Sequence, residues 1–169
     1  MKKKIAAVFL AMTLMANQAA VFAEAPKIST EQKAAIIDHC DEIRENLRNV
    51  QHQDSRARVY YGRYYETIFS KFIVPMNMRL TENNLLSDNL LSSQTKFTNF
   101  RADFSSDYVD YQRSLEELVA VNCKEEPEKF YELLQTVREK RENVNQDAVD
   151  LRKTVETHIE LVTDLEKEL

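Results

Sequence analysis

From Phe130 to Leu169 an unbroken rhythm runs through the chain: Phe130, Leu134, Val137, Arg141, Val144, Ala148, Leu151, Val155, His158, Val162, Leu165 and Leu169 follow one another in steps of four or three. Such steps keep one face of a helix turned toward a partner along its whole length, the signature of a coiled-coil seam. Only Arg141 and His158 are polar within it. Turn-forming residues are scarce. There is one glycine, Gly62, and three prolines, Pro26, Pro75 and Pro127. Sheets, bulges and phosphate loops depend on glycine, so the expectation is an all-α chain of a few long helices.

Two further helices carry the same rhythm. The first opens at Ser29-Thr30-Glu31-Gln32, where Ser29 can cap and Gln32 can reach back, a capping box. Its seam reads Ile36, Cys40, Ile43, Leu47, Val50, Asp54, Ala57, Tyr61, Tyr64 and Ile68, with Asp54 as the polar exception. One unbroken helix is favoured over two joined near Gln53, and it should end or kink at Pro75, where an interior amide is lost. After a turn near Leu80 to Asn84, the second helix carries Leu86, Leu90, Phe97, Phe100, Phe104, Tyr108, Tyr111, Leu115 and Leu118. The third starts at Pro127, in a first turn where the missing amide costs nothing. Helices over 29–75, 84–122 and 127–168, joined by short connections, should run up, down and up as an elongated, antiparallel, coiled-coil-like three-helix bundle within one domain, residues 24–169. At ~1.5 Å per residue each helix is roughly 60 Å long, a rod rather than a sphere.

Residues 1–23 read as an address. Lys2, Lys3 and Lys4 precede an apolar run from Ile5 to Met15, and Val21-Phe22-Ala23 offers a cleavage site. That is the layout of a secretory signal peptide, and the run is short for a membrane span, which needs about 20 residues. An uncleaved anchor is the alternative reading. The chain is thus expected to be exported: periplasmic, at the cell surface or extracellular, with no transmembrane helix after cleavage. The formal net charge is −5, and losing three lysines makes the mature part more acidic. An acidic surface argues against nucleic acid and anionic membranes as partners, since both need clustered positive charge.

An antiparallel layout makes the heights of residues comparable. With the first turn near 81 or 82, residue 40 lies level with residue 123, and both are cysteines. In an exported chain Cys40 and Cys123 are expected to form a disulfide rather than two buried free thiols. With the second turn near 125, Arg141 maps onto Asp54, so the two polar exceptions should pair in the core, with the Tyr108 or Tyr111 hydroxyl nearby. Such a pair is better at fixing register than at adding stability. His158 maps near Lys71 and reads as a packed core histidine.

Little in the sequence asks for chemistry. His39, His52 and His158 lie at different heights, and a zinc site built on His39, Cys40 and Cys123 lacks a fourth ligand. No catalytic residue, metal or cofactor is expected, and the plentiful carboxylates read as solvated faces. Two features suggest contact. One is an aromatic belt, in which Tyr61 and Tyr64 sit in the seam while Tyr60 and Tyr65 lie at its margins, either covering the core or meeting a partner. The other is an apolar end: Phe69, Phe72, Ile73, Met76, Met78, Leu80, Leu85 and Leu86 exceed what a narrow seam buries. It is either a fatter local core or an exposed patch for another protein or a second copy. The expected function is a non-enzymatic interaction, adaptor or scaffold rod of the envelope or cell surface. The alternative is a periplasmic holdase that binds unfolded clients through the apolar end. An exported toxin or effector, and then an enzyme, rank below these.

Overall fold

A computed structural model describes residues 28–168; the expected signal peptide, residues 1–23, and Leu169 lie outside the described residues. Every regular element among them is helical: α1 (Thr30–Asp38), α2 (Cys40–Ile68), a π-helical turn (Phe69–Ile73), α3 (Val74–Glu82), α4 (Asp88–Ala120) and α5 (Pro127–Glu168). No helix among the described residues is long and apolar enough to cross a membrane.

Local chemistry sets the ends. Ser29 and Gln32 close a reciprocal capping box at α1. The Ser87 hydroxyl accepts from the Leu90 amide at the start of α4. At the end of α3, Asn84 takes φ +56°, the amide of Leu85 reaches back to the carbonyl of Leu80 (2.8 Å), and that of Asn84 to Thr81 (3.0 Å). These are the two bonds of a Schellman turn, with asparagine in the left-handed position usually held by glycine.

The first helix does not end at 75. After a slight irregularity at His39 it continues past Pro75 to Glu82. Just before the proline the helix widens by one residue, and the Val74 amide donates to the Phe69 carbonyl. That widened turn absorbs the missing amide and relieves the clash of the ring with the carbonyl behind it, which would otherwise break the helix.

The most extensive contact is between α4 and α5. Ser114 meets Lys140 and Ser93 meets His158, so numbers rise on one helix as they fall on the other. Contacts climb α2 as they descend α4, from Arg44 with Val119 to Tyr65 with Phe97. The core splits in two. One cluster gathers Cys40, Tyr108, Tyr111, Leu115, Leu118, Cys123, Phe130 and Val137. The other gathers Tyr65, Ile73, Phe97, Phe104 and Leu151. The middle of α2, residues 56–64, contributes to neither.

Candidate protein-contact surface

The level of Asp54 marks the boundary between the two clusters. Arg141 donates to both Asp54 oxygens, from Nε and a terminal nitrogen, each at 3.0 Å, and the Tyr111 hydroxyl donates to Oδ2 at 2.6 Å. The Asp54 side chain is 19% exposed and that of Arg141 50%, so the pair sits at the rim of the core. Burial first, and then the Asp54 carboxylate, push the Tyr111 hydroxyl far above its usual pKa. The Tyr108 hydroxyl lies 3.5 Å from that of Ser55. A cavity of about 100 Å³ opens beside Asp54, Ala57, Tyr61 and Tyr108, well below the roughly 300–1,000 Å³ of small-molecule pockets. About four helical turns away along α2, Cys40 and Cys123 lie at disulfide distance, Cα to Cα 5.7 Å, both fully buried.

Beyond Asp54 the helix stands clear of its neighbours. From Arg56 to Tyr64 nine consecutive residues are exposed. Among them are Val59 (59%), Tyr60 (66%), Tyr61 (44%) and Tyr64 (50%). A Cβ placed on Gly62 would meet nothing within 4 Å, so the chain's one glycine answers no close approach. His52, Arg56, Val59, Tyr60, Arg63, Tyr64 and Thr67 line one outward stripe. Tyr60 and Tyr64 stack with centroids 6.5 Å apart, one turn apart on the helix, where side chains are neighbours. The Arg58 guanidinium lies 4.8 Å over the Tyr108 ring. Arg56 and Arg63 form no ion pair among the described residues.

The aromatic belt therefore needs correcting. Tyr60 is outward, but Tyr65 is not at a margin: it is 6% exposed, edge-on to Phe97 at 6.1 Å, and donates to the Ala148 carbonyl at 3.2 Å. The expected seam residues Tyr61 and Tyr64 are the exposed ones. A straight helix returns to the same azimuth after 18 residues, which is five turns at 3.6 residues each. Leu47 and Tyr65 are separated by that interval. A strict 3.5-residue seam selects Tyr64 instead, but nothing grips the middle of α2 to impose that supercoil.

The apolar end is mostly internal. Ile73 is buried; Phe69, Met76, Leu80, Leu85 and Leu86 are partly covered, Phe69 by stacking on Phe97 at 5.6 Å. Phe72 (63%) and Met78 (59%) are the two largely exposed members. His158 is buried, its Nδ1 3.2 Å from the Ser93 hydroxyl, and burial lowers its pKa.

A carboxylate cluster escaped the sequence reading. Asp147 on α5 is pushed up to about 6, by burial first and then by the charges of Asp107, Asp103 and Asp150, and its Oδ2 is enclosed without a partner. Its signal was an absence of cations: no Lys or Arg occurs over 102–112 of α4 or 142–151 of α5. Among the described residues no three His, Cys, Asp or Glu side chains are grouped so as to hold a metal ion. Set against protein-family models, curated proteins and solved structures, the chain matches none of them.

Proposed function

We propose that the chain is an exported, non-enzymatic protein-binding rod, its three helical arms running up, down and up, which holds a protein partner along the outward face of α2. The observation that carries this reading is the run of nine exposed residues from Arg56 to Tyr64, with three tyrosines, a valine and three arginines. Tyrosine and arginine are over-represented where protein contacts concentrate their energy, and a helix held at both ends presents them at little entropic cost. A cysteine pair at disulfide distance, with no membrane-crossing helix among the described residues, is compatible with export.

Phe72 and Met78 support a second reading, a holdase that grips unfolded clients at the apolar end. The α2 face is favoured because most of the apolar end is already packed. The test is a photo-crosslinking residue placed in turn at Tyr60, Tyr64, Phe72 and Met78, irradiated in intact cells. Discrete adducts at positions 60 and 64 are expected. Adducts confined to 72 and 78, spread over many clients, would replace this reading with the holdase, and no adduct at 60 or 64 would overturn it.

A further inference from the structure

The middle of the molecule segregates charge. Between Asp54 and Glu66, α2 carries Arg56, Arg58 and Arg63 and no acid. The contacts of Asp54 with Tyr111 and Arg141 and of Tyr65 with Ala148 place this stretch level with the cation-free stretches of α4 and α5. Those stretches carry Asp103, Asp107, Asp110, Glu142, Asp147 and Asp150. Asp103, Asp107 and Asp147 form no ion pair among the described residues.

The two charge sets face different ways. Tyr108 on α4 reaches Ser55 of α2. At about 100° per residue, Asp107 and Asp103 lie about 100° and 140° around α4 from Tyr108, on the flank where Lys140 of α5 reaches Ser114. One side of the molecule is therefore a Tyr–Arg ridge, and the far side is an acidic groove between α4 and α5.

Building on the reading of α2 as a contact face, we propose that its partner is a second copy of this chain, whose acidic α4–α5 groove receives the Tyr–Arg ridge. The spacing matches. Arg56 and Arg63 are seven residues apart, as are Asp103 and Asp110, or roughly 10 Å on either helix. Asp110 is also held by Arg113 of its own helix at 3.3 Å, an exposed pair that an incoming arginine would share. The Tyr60 and Tyr64 hydroxyls are donors without protein acceptors among the described residues, and the groove is lined by acceptors. Burial is the first cause that lifts the Asp147 carboxyl, and the neighbouring carboxylates are the second; an arriving guanidinium relieves that second part. Ridge and groove lie on different sides of one molecule, so the contact is head-to-tail: each copy that docks leaves one ridge and one groove free, and association runs on beyond the dimer.

Sedimentation velocity on the full chain, across protein concentration and salt, tests this. Species larger than dimers are expected at low ionic strength and should dissociate in salt, because the attraction is screened. R56Q/R63Q and D103N/D107N should each weaken self-association by roughly tenfold or more, with helical circular dichroism unchanged as the folding control. An equimolar mixture retains one intact ridge and one intact groove, and should give dimers and nothing larger. A chain that stays monomeric at low salt, or a mixture that gives no dimer, would overturn the proposal. The crosslinker at Tyr60 separates the two readings: adducts to α4 or α5 peptides of the same chain support self-docking, whereas adducts to a different protein end this inference and leave the contact face standing.

Discussion

Two stretches of one helix, Cys40–Val50 and Arg56–Tyr64, carry the same spacing of residues and meet opposite fates. In the first, Cys40 is fully buried, with Ile43 and Leu47 packed against the cluster that holds Leu115, Leu118 and Phe130. In the second, every residue is exposed. The difference lies in what fills the space between helices. At the disulfide end, branched and aromatic knobs meet from three sides. Past Asp54, Phe104 and Tyr108 of α4 and Val144 of α5 line the gap opposite Ala57, Arg58 and Gly62 of α2, whose Val59 and Tyr61 stay exposed. On the α2 side small and charged groups leave holes without knobs, so dispersion and burial have little to close the gap with. A seam rhythm selects which face a helix would bury; side-chain volume decides whether it does.

Removing the crosslink should break the comparison most strongly. The Cys40–Cys123 bridge spans 83 residues, and replacing both cysteines by serine should cost about 4 kcal/mol, measured by denaturant unfolding. Next comes a matched truncation. Leu118→Ala, at a fully buried site, should cost about 2–5 kcal/mol, whereas Val59→Ala should change stability by less than about 0.5 kcal/mol.

A pH series sharpens the picture of the acidic groove. Asp147 titrates at about 6 in the folded chain against about 3.9 unfolded. The fold therefore binds the extra proton between those values, and stability falls as pH rises through that window. His158 acts in the opposite sense: its folded pKa is depressed, so stability falls as pH drops below about 6.5. Asp147→Asn should raise the melting temperature at pH 7 by about 2–4 °C, with little change at pH 4, and should leave a steeper loss on acidification. The smallest effect belongs to Gly62→Ala. With open space around the new methyl, it should stabilise by about 0.5–1 kcal/mol through helix propensity alone. A loss of stability would mean that α2 packs closely there.

What could be read from the sequence follows from where geometry is pinned. Ser29 and Pro127 mark helix starts, and short connections then fix heights, which is why Cys40 falls level with Cys123 and Asp54 with Arg141; the second helix starts at Asp88, behind its Ser87 cap, and not at 84. Phase was harder to read. From Leu47 to Tyr65 the difference between 3.5 and 3.6 residues per turn accumulates to half a residue, enough to exchange Tyr64 for Tyr65. The passage through Pro75 was hidden because a π turn is a backbone adjustment with no residue signature of its own. The acidic groove was missed because each carboxylate was read singly, whereas its meaning lies in two facing stretches that both lack lysine and arginine.

Tyrosine accessibility tests the stand-off of α2 most directly. Brief nitration or hydroxyl-radical footprinting of the native chain, dilute and at high salt so that copies stay apart, read by mass spectrometry, reports each ring separately. The exposed middle of α2 predicts rapid modification of Tyr60, Tyr61 and Tyr64, with Tyr65, Tyr108 and Tyr111 protected. Protection of Tyr61 and Tyr64 together with rapid modification of Tyr65 would contradict it, returning α2 to a closed heptad seam and removing the contact face.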